Sequence, residues 1–341
     1  MENNSFGSSS ADLFQDPFIL TTGRFVPGKA REFCEEKLSP VERTLGMAEL
    51  SYFKGDLDAA YEIFSSLLKQ EDFETYVAAL IGRACCDLAC KRTRELFSLY
   101  RSANQLKNTL PDDSKLKKLC DVFLIYFNII LHHFSALELP SVSVDAFAMP
   151  SSMKLMGIYA YSHYLIQCGD VGRAIGLAEG ALIFSGRACP ISEIYLSLIV
   201  SIGYMLRQTW DKAEYYFLHA WHLAQPDGFI MPFVEHRGLL SGVLEKCLRH
   251  REPRAYKIIS DFSNTYHSSW VCVHNELTGE IVSDKLTAIE YNVATLASRG
   301  VSNTEIADFL GISVNSVRAH MRNIFNKLGI DSRKELNGFV I

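Results

Sequence analysis

"SNTEIADFLGISVNSVRAHMRNIFNKLGI", Ser302 to Ile330, decides how this 341-residue chain is read. Ser302 and Glu305 have capping-box spacing: a hydroxyl accepts from the third backbone amide while the glutamate reaches back. They start a helix over about Asn303 to Leu310, with Ile306, Ala307 and Leu310 on one buried face. Gly311 suits a tight turn of positive φ, Ile312 plugs the core, and Ser313 caps a further helix running to about Leu328. On that helix Val314, Val317, Met321, Ile324 and Leu328 form an apolar stripe. The opposite face carries Asn315, Ser316, Arg318, Arg322, Asn323 and Lys327, with no carboxylate from Val314 to Lys327.

Upstream, Thr287 and Glu290 repeat the capping box and open a helix to about Ser298, stopped by Arg299-Gly300. Three helices, a short glycine turn and one cationic face are the layout of a helix-turn-helix reader. The charge distribution is consistent with this. The chain has net charge -5, yet from Asp284 onward seven Lys/Arg meet six Asp/Glu. An acidic body repels DNA, which leaves the tail as the nucleic-acid surface.

"LTAIEYNVATLASRGVSNTEIADFLGISVNSVRAHMRNIFNKLGIDSRKEL" resembles the four-helix DNA-binding domain of LuxR-type, also called GerE-type, transcription regulators. The matching residues include Leu286-Thr287 with Glu290, Gly300, Glu305-Ile306-Ala307, Leu310-Gly311-Ile312-Ser313, Val317-Arg318 with His320, Lys327-Leu328-Gly329 and Ser332-Arg333. Two positions depart from the family pattern: Arg318 stands where lysine is usual and Ala288 where proline is usual. The resemblance implies a third helix in the major groove and domains acting as dimers on paired half-sites. It assigns Asn315, Ser316, Arg318 and Arg322 to the bases and Thr304, Asn323 and Lys327 to phosphates. The segment after Ser332, with Leu336, Phe339 and Val340, either supplies a dimer contact or covers the back of the third helix.

The region before the tail is helical in period, and the expected fold class is all-α. "GDLDAAYEIFSSL" places Ala60, Phe64 and Leu67 at fixed offsets from Gly55. The same offsets give Ala174, Ala178 and Ala181 after Gly169, Ala213, Phe217 and Ala220 after Gln208, and, in a degenerate copy, Leu96, Tyr100 and Ala103 after Lys91. A step near 38 residues resembles tetratricopeptide-type hairpins, irregular in length. "WVCVHNELTGEIV", Trp270 to Val282, is rich in β-branched residues and reads as a short hairpin or extended connector. The expected division is a partly disordered leader (1–38), a helical-repeat sensor or assembly domain (39–264), a linker (265–284) and the helix-turn-helix domain (285–341).

Other signals are weaker. The nine cysteines are scattered and read as buried thiols in a cytoplasmic protein. "VFLIYFNIIL", Val122 to Leu131, is too short for a membrane span and reads as a buried helix. "GRFVPGKA", Gly23 to Ala30, imitates a phosphate-binding loop but ends in Ala30 where a hydroxyl is needed. His132-His133 would point to different faces of a helix. No catalytic constellation, cofactor or metal is expected.

The aromatic residues Tyr159, Tyr161, Tyr164, Tyr215, Tyr216, Trp221 and His222 read mainly as core, and no effector residue is named. The expected function is a transcription regulator that binds double-stranded DNA as a homodimer. A small-molecule, peptide or protein effector on the helical body would gate it. The alternative is a constitutive scaffold whose body only dimerises or recruits proteins.

Overall fold

The computed structural model describes residues 18–36, 38–70, 72–111, 115–133, 154–185, 189–240, 242–279 and 285–339. Among these residues every regular element is helical. The body begins with α1 (Ala30–Glu36), followed by α2 (Pro40–Phe53), α3 (Leu57–Leu67), α4 (Phe73–Ala89), α5 (Thr93–Thr109) and α6 (Lys115–Ile130). It continues through α7 (Lys154–Gln167), α8 (Val171–Phe184), α9 (Pro190–Leu206) and α10 (Trp210–Ala224). The short helices α11 (Met231–Glu235) and α12 (Val243–Leu248) and the long α13 (Pro253–Thr278) complete it.

The repeat is visible as one backbone motif used five times among the described residues of the body. Gly55, Lys91, His132, Gly169 and Gln208 all take positive φ, between 54° and 82°. At each, the same pair of hydrogen bonds closes the preceding helix: Gly55 N–H donates to Tyr52 O and Asp56 N–H to Ser51 O, and Gln208 N–H to Met205 O and Thr209 N–H to Tyr204 O. Left-handed backbone costs a non-glycine residue about 1–2 kcal/mol, so Lys91, His132 and Gln208 are held there by what packs around them. Asp56 and Asp170 then accept from the third amide of the next helix.

The offsets found in the sequence mark the buried side of these second helices. Ala60, Phe64, Leu67, Leu96, Ala103, Ala174, Ala178, Ala181, Ala213, Phe217 and Ala220 are all buried. Small residues there let α3, α8 and α10 lie close against their partner helices. The first helices α2, α4, α6, α7 and α9 contact one another along a single row, which forms the inner wall of the solenoid. His132 is the turn that sequence comparison missed, because it stands on the turn and not on a helix as expected.

One expectation is overturned. The 265–284 linker, read as a hairpin or extended connector, is helical as far as Thr278. Its β-branched and aromatic residues have helical spacing: Ile259, Tyr266, Trp270 and Val273 are buried on one side of α13. Thr278-Gly279 is the end of that helix, with Gly279 at φ 71°, and not a hairpin turn. Of the leader, expected to be partly disordered, residues 18–36 are described and join the fold, and residues 1–17 lie outside the described residues. Ile19, Leu20, Ala30 and Cys34 are buried. The buried Glu49 carboxylate accepts from the amides of Ile19 (2.6 Å), Leu20 (3.1 Å) and Thr21 (2.9 Å) and from the Thr21 hydroxyl (2.8 Å).

The inner wall is occupied by the chain itself. Ile230 N–H donates to Phe53 O at 2.8 Å, bringing α11 against α2. Tyr52 and Tyr195, from α2 and α9, both donate to the Glu235 carboxyl at the end of α11 (2.6 and 2.8 Å). Burial pushes that carboxyl up to about 7, and the two tyrosines pull the other way. α13 crosses α4, α5, α11 and α12, and Trp270 Nε1 donates to Ile130 O at 2.8 Å.

Candidate nucleic-acid interface

The tail forms α14 (Ala288–Ser298), α15 (Asn303–Leu310) and α16 (Val314–Leu328), followed by a 3-10 turn over Arg333–Gly338. All three caps expected from sequence are made: Thr287 and Ser302 in reciprocal boxes with Glu290 and Glu305, and Ser313 accepting from Ser316 N–H at 3.0 Å. Gly311 takes φ 60°, which lets α16 leave α15 at a sharp angle. Ile306, Ala307, Leu310, Val317, Met321 and Ile324 meet Val293, Leu296 and Ala297 in a second core. Leu336 is fully buried in that core, and the terminal turn packs on α14. Leu336 is thus committed inside its own domain; Val340 lies outside the described residues.

Asn315, Arg318, Arg322 and Asn323 are exposed on one side of α16, and Thr304 is exposed in the first turn of α15. Arg318 Nη1 donates to Asn315 Oδ1 at 3.3 Å, so the two side chains stand together at the start of the helix. Ser316 is half-buried, its hydroxyl 2.8 Å from that of Ser313. Lys327, assigned to a phosphate, is bound to the Glu290 carboxylate at 2.6 Å. Burial raises the Glu290 carboxyl, but the Lys327 ammonium and the Thr287 donors outweigh it and hold the group below the ordinary carboxylate range.

Two further cations point inward. Arg333 donates to the carbonyls of Ala297 and Val301, and Arg299 donates to Leu239 O at 3.1 Å. Burial pushes the Arg299 guanidinium down to about 10. Arg318 and Arg322 therefore dominate the charge of the exposed face.

Sequence reading missed the docking of this domain on the body. Trp210, at the start of α10, packs on Phe309 of α15 with ring centroids 4.2 Å apart. The Arg249 guanidinium donates to Leu310 O, capping the end of α15 from the body side. His267 of α13 lies 4.1 Å from the Tyr291 ring, and burial pushes the imidazole down to about 4, so it is neutral at this contact. The seam uses α14 and α15 and leaves the polar face of α16 in solvent.

A cavity of about 500 Å³ lies along the same seam, between α7, α11, α13 and the tail. Tyr159 is the one member of the aromatic set named above that lines it. Tyr161 and Trp221 are buried core, and Tyr215 is exposed. The loop-like stretch at Gly23 to Ala30 is differently occupied. Gly28 and Ala30 amides donate to the two Asp227 carboxylate oxygens (2.6 and 3.0 Å), so a carboxylate sits where a phosphate would be bound. Among the described residues no group of three or more His, Cys, Asp or Glu has metal-binding geometry, and no helix is long and apolar enough to cross a membrane.

Residues 284–339 match the family described as bacterial regulatory proteins, luxR family. The chain is also similar to proteins named HTH-type transcriptional regulator MalT. With that of Vibrio campbellii it is 26% identical over 141 residues, 37% of this chain and 16% of the relative. With that of Vibrio parahaemolyticus it is 26% identical over 162 residues, 42% and 18% respectively. With that of Vibrio cholerae it is 30% identical over 118 residues, 32% and 12%. The chain spans less than a fifth of the length of these curated relatives. No solved structure matches it significantly. The tail is a LuxR-type helix-turn-helix domain, carried on an all-helical body.

Proposed function

We propose that this protein is a transcription regulator that reads double-stranded DNA as a homodimer through α16 and is gated by an effector on its helical body. The observation that supports it best is the exposed, carboxylate-free face of α16, where Asn315, Arg318 and Arg322 project beyond the Gly311 turn. On this reading Arg318 reads a guanine edge through two parallel N–H donors, and Asn315 beside it pairs with an adenine or orients the arginine. Ser316, Arg322, Asn323 and Thr304 contact the flanking bases and phosphates. Lys327 reaches a phosphate only by leaving Glu290, so its contribution is smaller than that of a free lysine.

Few free cations per domain give a shallow salt dependence, with a log–log slope of roughly -0.9 per phosphate neutralised. Pairing two domains doubles that slope and supplies affinity that one domain lacks, which is the physical case for a dimer. The cavity at the seam favours a gated body over a scaffold, because a small molecule there touches both the body and the reading domain.

The test is enrichment of bound fragments from random duplex DNA by the full chain, beside the Arg318→Ala variant. The expected result is an inverted or direct pair of half-sites, with one position per half-site losing its preference in the variant. No enrichment over a basic non-specific control would refute DNA reading, and a single unpaired motif would refute the dimer.

A further inference from the structure

The most basic run of the body sits at the reading domain. From Lys246 to Lys257, "KCLRHREPRAYK" holds five Lys/Arg against Glu252 alone, the most positive stretch of twelve residues in the chain. Outside this run and the tail, twenty-two Lys/Arg face thirty-two Asp/Glu. A duplex approaching α16 therefore meets repulsion from the rest of the body and attraction from this segment.

Two contacts fix the place of the run. α12 packs along α15, and the Arg249 guanidinium, just beyond α12, donates to Leu310 O at the end of α15. A Cβ added at Gly311 would meet that guanidinium first, so the arginine lies on the turn that leads into α16. Arg254 follows five residues later. Five residues span at most about 17 Å, the rise of about five base steps at roughly 3.4 Å each.

The cations differ in what holds them. Lys246 and Arg251 share one carboxylate, Glu214 of α10, at 2.9 and 3.4 Å. Arg249 is half-buried and committed to Leu310. Arg254 and Lys257 stand in the first turns of α13, three residues apart and so on one side of the helix. Both are exposed, and among the described residues neither has an ion-pair partner, Glu252 and Asp261 included. Such side chains suit phosphate oxygens, the arginine through two parallel donors and the lysine as a point charge.

We propose that Arg254 and Lys257 form a second, sequence-independent DNA contact that holds backbone phosphates flanking the half-site read by α16. Charge and continuity set the occupant. Duplex DNA is the polyanion that α16 brings to this place, and the tail alone offers few free cations, since Lys327, Arg299 and Arg333 are engaged within the protein. Docking of the tail on the body becomes part of DNA binding, because the docked arrangement presents both surfaces to one duplex. The inference rests on the DNA-reading proposal.

The test is a salt series on the full chain, with a duplex carrying the enriched site and a duplex of unrelated sequence. The variants are Arg254→Gln/Lys257→Gln and a control of equal charge, Arg43→Gln/Lys69→Gln, whose residues are exposed in α2 and just after α3. Each lost phosphate contact makes the log–log slope shallower by about 0.9. The first variant is expected to lose roughly 1.8 from the slope for each domain bound, so that a fourfold rise in salt weakens it about twelvefold less per domain than wild type. Its affinity is expected to fall by the same factor for both duplexes, with base preference unchanged, while the control matches wild type. An unchanged slope in Arg254→Gln/Lys257→Gln, as a surface for an acidic protein would give, would overturn the proposal. So would an equal loss in the control or an altered base preference. If the wild-type chain enriches no duplex, the reading and this contact fall together; enrichment with an unaltered slope in the variant removes this contact alone.

Discussion

Replacing Trp210 by alanine removes a body-side contact of the seam and leaves every residue of the helix-turn-helix domain itself in place. Trp210 is half-buried and packs on both hydrophobic clusters, with Phe309 as its ring partner at 4.2 Å. The aromatic pairing contributes about 0.5–1.5 kcal/mol beyond burial. Full truncation of a buried aromatic costs about 3–5 kcal/mol, and a half-buried ring loses a corresponding part. The expected loss in docking is therefore about 2–4 kcal/mol, which shifts the docked-to-undocked ratio by roughly 30- to 1,000-fold at 1.4 kcal/mol per tenfold. Hydrogen exchange on the full chain reads this directly. Amides of α12 and α15 are expected to exchange faster in Trp210→Ala, amides of α8 and α9 to stay unchanged, and the tail to melt as a separate transition. Trp210→Phe should restore most of the protection. Uniformly faster exchange across α8, α9 and α15 would refute the reasoning, because body and tail would then unfold as one unit with no separable seam.

Arg318→Ala is expected to weaken specific DNA binding by about 1–3 kcal/mol and to relax one position of the site, as read by competition between related duplexes. At Gly169, where no atom lies within 4 Å of an added Cβ, alanine should cost only the left-handed backbone, about 1–2 kcal/mol in chemical denaturation, whereas Gln208→Gly should stabilise. Glu290→Gln removes the Lys327 ion pair and weakens the Thr287 cap, with an expected lower melting temperature of the tail. Because Glu290 is held below its ordinary value, its contribution is present above about pH 4.5 and fades as pH falls through the lowered value. His267 works in the opposite sense to a cap: its folded value near 4 lies below the ordinary 6.5, so the seam is fully formed above that value and loses roughly 2 kcal/mol by pH 5 as the undocked imidazole takes up a proton. Glu49 and Glu235 oppose this globally by binding protons in the folded state, so the reading is the difference between wild type and His267→Gln in exchange at α14.

The start and stop of each tail helix were legible in the sequence, because caps and left-handed glycines act within four residues of themselves. Thr287, Ser302, Ser313 and Gly311 each do in the fold what their spacing implies. The repeat was legible for the same reason: a turn and a buried small-residue face recur at fixed offsets whatever surrounds them. The end of α13 was not. Trp270 to Val273 carry strand-like side chains, and they are helical because the helix buries Trp270, Val271 and Val273, with Trp270 bonded to the end of α6. Periodicity over the whole segment, with Ile259, Tyr266 and Val273 on one face, was the signal that local composition hid.

Local chemistry in the sequence thus determined the all-helical class, the repeat and the polar reading face of α16, since each depends on neighbours a few residues away. Tertiary structure alone decided which cations remain free, turning Arg299 and Arg333 inward and pairing Lys327 with Glu290 37 residues away. It also decided the seam and its cavity. His163, Ser260 and Ile289 come from three distant segments, and only packing of the last helices into the solenoid brings them to one space. Spacing along a chain carries no record of such a meeting, because the energy that creates it is shared among contacts from every part of the fold.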